Sequence, residues 1–243
     1  MKKLYHKSPL AHALVCIAVY VFGMSAADEF SRTVGIEKCA TALFALLCSA
    51  LVCVFVINTG TKRHFGFCKS GVPAKSLLFY LPLVALSSVN FWFGAQWNLP
   101  LLETVLYVVS MLCVGFLEEV VFRGFLFRAM EKDSPRAAVI VSSVTFGIGH
   151  VVNLLNGSGA SPLATVCQIV YATAAGFLFV VLFLKTGSLL ACIASHGFLN
   201  ATSVFSAPAS EEEGAIIAVS LVLALGSVAY ALYLRRLGLT QES

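Results

Sequence analysis

The sequence predicts an all-α, polytopic membrane bundle of about eight transmembrane helices, forming a single integral membrane domain over residues 1–243. Three observations predict it. The residues are 59% hydrophobic and only 12% charged, against about 25% charged in soluble domains. Apolar runs, each roughly long enough to cross a hydrocarbon core of about 30 Å, take up most of the chain. Lys and Arg gather between alternate runs, as they do in membrane proteins that keep their basic loops in the cytoplasm.

The spans are expected near 9–27, 39–58, 76–95, 101–129, 137–155, 162–184, 188–206 and 214–234, to within a few residues at each end. The first follows Lys2, Lys3 and Lys7 and imitates a signal peptide, with Ser25-Ala26-Ala27 as a cleavage-like site. Its apolar run is long, and removing it leaves an odd number of spans and disturbs the charge alternation, so it is expected to be retained. Breaker residues mark the later junctions: Gly71-Val72-Pro73, Leu99-Pro100, Gly157-Ser158-Gly159 with Ser161-Pro162, Thr186-Gly187, and Pro208. Trp92 and Trp97 suit an outer interfacial belt.

Charge orders the two sides. Lys2, Lys3 and Lys7 precede the first span, and Lys62, Arg63, Lys69 and Lys75 follow the second. Arg128, Lys132 and Arg136 follow the fourth, Lys185 the sixth, and Arg235 and Arg236 the eighth. The intervening loops hold only Arg32 and Lys38. Both termini are therefore expected in the cytoplasm, in the cell membrane, with Glu211, Glu212 and Glu213 in a solvated outer loop. The net charge of +4 is not spread as a nucleic-acid surface would be, so the bilayer is the expected partner and nucleic acid is not. The eight cysteines include no C-x-x-C pair, and most lie in apolar spans, where Cys acts as a small hydrophobe. Nothing in the sequence specifies an oligomeric state.

Against this apolar background a few polar residues stand out. Glu118 and Glu119 are adjacent within the fourth run, where each charge at membrane depth costs a few kcal/mol or more, and such residues mark sites. Arg123 is four residues after Glu119, on the same helical face and in the favourable acid-first order. Glu118 points about 100° away. One carboxylate can be neutralised by Arg123 while the other faces something else. Phe146-Gly147-Ile148-Gly149-His150 and His196-Gly197-Phe198-Leu199-Asn200 add a second and third segment, with His196 and Asn200 on one face. Glycines beside both histidines allow close helix approach. Counted at 1.5 Å per residue from the basic anchors, Glu118, His150, His196 and Asn200 lie roughly 15, 21, 16 and 22 Å into the membrane. Groups on three spans thus arrive at one level. His12 is expected to reach water at the inner end of the first span, Asn90 and Gln168 to hydrogen-bond between helices, and Tyr171 to pack in the core or line the same cavity.

A carboxylate in a low-dielectric cavity is a usable general base near neutral pH. A neighbouring His can share that task, and a second His with an Asn can donate to a developing oxyanion. Together with water, such a set suits hydrolysis of a peptide bond. There is no G-x-S-x-G elbow and no H-E-x-x-H, and no Ser or Cys stands out as a nucleophile. Glu and His side chains can also bind zinc and leave a position open for water, so residue types alone leave glutamate-activated and metal-activated water as alternatives.

Glu118-Glu119-Val120-Val121-Phe122-Arg123, then Phe146-x-x-x-His150, then His196-x-x-x-Asn200, resembles the ordered motif set of the CAAX prenyl endopeptidase and bacteriocin-processing family, the Abi or CPBP group of intramembrane glutamic proteases. Thr186-Gly187-Ser188-Leu189 resembles it too, and the motif-bearing core runs over about 101–203. The resemblance implies an eight-span bundle with a cavity open to the cytoplasm and to lipid. It implies Glu118 as the base acting on water with His150, His196 and Asn200 as the oxyanion pair, and Glu119, Arg123 and Phe146 in support. It implies a peptide or lipidated protein as substrate and no cofactor, with zinc as the minority alternative. Two other functions fit the same residues: a non-catalytic bacteriocin-immunity or scaffold protein that keeps the fold, and a proton-coupled transporter. The transporter is disfavoured because no repeat or paired interrupted helices are visible.

Overall fold

The structure is a computed structural model describing residues 1–72, 77–156 and 159–237. Pro73, Gly157 and Ser158, expected to mark helix junctions, lie outside the described residues. The expected all-helical membrane architecture is found, with no strand among the described residues beyond an isolated bridge between Ala95 and Ser206.

A short helix α1 (Lys2–Lys7) leads into α2 (Pro9–Val34), followed by α3 (Cys39–Thr59), α4 (Leu77–Ser87) and α5 (Leu101–Glu119). The chain then runs through a π-helical segment, Val120–Phe127, and one turn of α6 (Arg128–Met130). It continues as α7 (Pro135–Gly149), α8 (Pro162–Thr186), α9 (Leu190–Thr202) and α10 (Glu213–Arg236). Three Ser-Pro pairs start helices: the hydroxyls of Ser8, Ser134 and Ser161 accept from the amides of Ala11, Ala137 and Ala164, and the proline fills the first helical position, where no amide is needed. Gly35, Gly60 and Gly187 end α2, α3 and α8 in the left-handed region, with φ of 75°, 69° and 67°.

Among the described residues, six segments are long and apolar enough to span a bilayer. The third and seventh expected spans are shorter than predicted. The third is α4 with a 3-10 turn at Val89–Phe91, and the seventh is α9 with a 3-10 turn at Ser203–Phe205. The first runs to Val34, through Ser25-Ala26-Ala27 without a break. The fourth is one segment, Leu101–Met130. The fifth ends as an α-helix at Gly149, and His150 opens a 3-10 turn, His150–Leu154.

The bundle has two distinguishable ends. At one, the Lys2 ammonium donates to Asn58 O, Lys185 to Leu237 O, and Arg128 pairs with Glu131 at 2.8 Å. At the other, Lys38 pairs with Asp28 at 2.8 Å and Asn98 donates to Val204 O, while Arg32 donates to Asn156 O. The first end carries the basic loops and the second the loops poor in Lys and Arg.

His12 does not reach water. It is 1% exposed, stacked on Phe55 at 4.7 Å and edge-on to Phe125. Aromatic rings from three segments, Tyr5, Phe55 and Phe125, surround it, which the position of His12 near the span's end did not reveal. Asn90 and Gln168 do hydrogen-bond between segments: Asn90 donates to Leu199 O at 2.6 Å, and Gln168 accepts from Asn153 at 2.9 Å. All eight cysteines are free.

Candidate active site

Packing of α5 against α9 brings the carboxylates to His196. A Cβ on Gly115 would stand 2.6 Å from the Cα of Gly197, so the two backbones touch there, and any side chain would force them apart. One turn further along α5, Glu118 and Glu119 face the start of the same contact. Of the two glycines near His150, Gly149 has open space around it. Gly147 instead allows the close approach, against Ile169 O and Thr173 of α8.

The backbone changes hand-hold just after the carboxylates. From Val120 the helix widens to π-helical turns, every residue of which is buried. Such stretches in a helix are uncommon and favour functional sites. The Phe122 carbonyl takes a hydrogen bond from Ser142 of α7 at 2.8 Å, which helps satisfy the altered turn.

The two carboxylates have different surroundings, as their angular separation predicts. Glu119 is fully buried, with Arg123 3.1 Å from Oε1 and the His196 Nδ1 2.8 Å from the same oxygen. Arg123 is also fully buried, its guanidinium carbon 4.2 Å from the centre of the Phe146 ring and 5.4 Å from that of Phe179. Aromatic faces attract a desolvated cation. Gly176 makes room for it: a Cβ there would lie 3.3 Å from the Arg123 Nη2 and 3.1 Å from the Ser143 Cα. Glu118 turns to the other side. It accepts from the Tyr20 hydroxyl at 2.7 Å, and its Oε2 lies 3.3 Å from His196 Nε2. His196 thus stands between the two carboxylates, with Phe146 edge-on at 5.5 Å.

Glu118, His150, His196, Asn200 and Phe146 all line one cavity of about 830 Å³. His150 lies beyond Phe146, ring to ring at 5.5 Å, and Asn200 is one turn along α9 from His196. Glu119 and Arg123 are behind the wall. Among the described residues no three His, Cys, Asp or Glu side chains are arranged to hold a metal ion. His196 directs Nδ1 at Glu119 and Nε2 toward Glu118, and no step below passes through a metal.

Tyr20, Phe179 and Gly115 escaped the sequence reading. Tyr20 is 98 residues from Glu118, in a span with no other polar signal at that level. A tyrosine in an apolar run does usually find a partner for its hydroxyl, and that was the available clue.

The helical bundle, with its membrane-length apolar segments, holds a buried Glu-Glu-Arg-His cluster beside a cavity. Residues 100–202 match the model of the Rce1-like family, type II CAAX prenyl endopeptidases. The matched stretch begins at α5 and ends with α9, holding every motif residue named above, and it supports a CAAX-type endopeptidase role. No curated protein matches the chain.

Proposed function

We propose that the protein is an intramembrane endopeptidase that hydrolyses a peptide bond of a membrane-associated peptide or protein with water activated by Glu118. The observation that carries this is the division of labour between the paired carboxylates. Glu119 is neutralised by Arg123 and orients His196, whereas Glu118 borders the cavity with a hydroxyl and an imidazole beside it. Glu118 takes a proton from water as the water oxygen adds to the scissile carbonyl carbon. The C–N bond then breaks, and the proton passes to the leaving amine. His150, on the same cavity, assists in placing the water. Asn200 donates to the oxygen that gains charge, and His196, held at Nδ1 by Glu119, presents Nε2 to the reacting face.

Turnover of a fluorogenic peptide by the purified protein in detergent or proteoliposomes tests this. Asn200→Ala is expected to slow turnover on the order of 100-fold, as loss of one oxyanion donor does, while thermal stability changes little. An unchanged rate removes Asn200 from the reaction. A biological phenotype that survives when turnover is lost identifies the protein as an immunity or scaffold protein instead.

The reaction proposed needs no metal. Activity is expected to persist through treatment with a strong chelator and to be unaffected by added zinc. Stoichiometric zinc in active protein, with activity lost on chelation and restored by zinc, overturns the glutamate mechanism.

A further inference from the structure

We infer that the cavity receives its substrate from the outer face of the membrane. On the peptidase reading above, its substrates are then extended segments presented outside the cytoplasm, not the tails of cytosolic proteins. The resemblance in motifs implies the opposite, a cavity open to the cytoplasm.

Sidedness comes from charge. Of the fifteen Lys and Arg residues among the described residues, twelve lie at the end of the bundle that holds Lys2, Arg128 and Lys185. Arg123 is inside, and only Arg32 and Lys38 lie at the opposite end. There each has an acidic partner, Glu29 at 2.5 Å and Asp28 at 2.8 Å. So one-sided a distribution over short loops puts the basic end in the cytoplasm.

The cavity belongs to the other end. Its exposed lining residues are Gly159, Ser161 and Glu211, with Asp28 and Lys38 partly exposed beside them. Gly159 and Ser161 sit just before α8, Glu211 before α10, Lys38 between α2 and α3, and Asp28 near the end of α2. Toward the basic end the described interior is packed with apolar side chains. Phe65, Phe127, Phe183 and Leu189 are each at most 1% exposed, and the buried π-helical segment lies among them. Among the described residues, none from the basic-end loops lines the cavity. The cavity therefore opens outward and has Glu118 near its floor.

Depth sets how the substrate must arrive. Glu118 is seventeen residues along α5 from Leu101, roughly 25 Å at 1.5 Å per residue. An extended chain covers about 3.3 Å per residue, so about eight residues must enter before a peptide bond reaches the carboxylate. A folded domain cannot follow it down, so the cleaved bond lies in a flexible or terminal segment.

The test uses full-length protein with all eight cysteines replaced and single cysteines restored in intact cells. Glu211→Cys is expected to react with a membrane-impermeant maleimide before permeabilisation, and Lys132→Cys only afterwards. Ser195→Cys, on the cavity wall, is expected to react from outside with a small impermeant methanethiosulfonate. Labelling of Lys132→Cys but not Glu211→Cys, or modification of Ser195→Cys only from the inner side, overturns the inference. In sealed vesicles an impermeant fluorogenic peptide is expected to be cleaved when added to right-side-out preparations, and cleavage in inside-out vesicles alone also overturns it. If the detergent-solubilised protein cleaves nothing, the peptidase reading fails, and the labelling still decides on which side the cavity opens.

Discussion

Glu118→Gln is expected to abolish peptide cleavage, with a loss of at least about 100-fold for removal of a general base, while the protein remains folded and inserted. The substitution keeps the size of the side chain and an oxygen that can accept from Tyr20, now 2.7 Å away. It removes the group that takes a proton from water. Stability should hold because Glu118 is not the partner of Arg123, which lies 3.1 Å from Glu119. Among the described residues, the basic side chain in ion-pair contact with Glu118 is His196, at 3.3 Å. The measurement is peptide turnover beside a thermal melt in the same detergent. Full activity in Glu118→Gln removes Glu118 as the base. Inactivity together with a collapsed melting temperature would instead place Glu118 in the framework.

Much of this cluster was legible because helical spacing reports which face a residue occupies. Glu119 and Arg123, four apart, meet as expected, and Glu118 faces elsewhere as its angle requires. The depth count put His150, His196 and Asn200 near the level of Glu118, and all four line one cavity. Spacing says nothing about lateral neighbours from distant spans, which is why Tyr20 was missed and why His12 was expected at water rather than among aromatic rings. Nor does it reveal a change of helical pitch. Val120–Phe127 reads as ordinary helix, yet it is π-helical and carries Arg123 between Phe146 and Phe179. Apolar runs gave the number of segments better than their lengths, because residues in a 3-10 turn, such as Ser203–Phe205, are as apolar as those in a span. Which end of a cavity is open depends on how side chains from many segments fill the other end, and no single run encodes that.

Arg123→Met is expected to destabilise the protein by about 3–5 kcal/mol, the usual cost of stripping one partner from a buried ion pair. Both members of this pair have fully buried side chains, so water cannot replace the lost partner. Glu119 would keep only His196, and the cleft between Phe146 and Phe179 would lose the cation that their faces attract. Glu119→Gln is expected to act in the same direction, leaving the guanidinium buried without its anion. The decisive variant is the double one, Glu119→Leu with Arg123→Met. Well-packed apolar side chains often replace a buried pair at little cost, so stability should return toward that of the unmodified protein. Peptide turnover should stay low, because the 2.8 Å contact that orients His196 ends on the Glu119 carboxylate. Thermal melts and turnover measured on the three variants separate the two contributions. A single Arg123→Met as stable as the parent shows that the pair does not hold the bundle together. A double variant that regains full turnover shows that His196 does not depend on Glu119 for its place in the reaction.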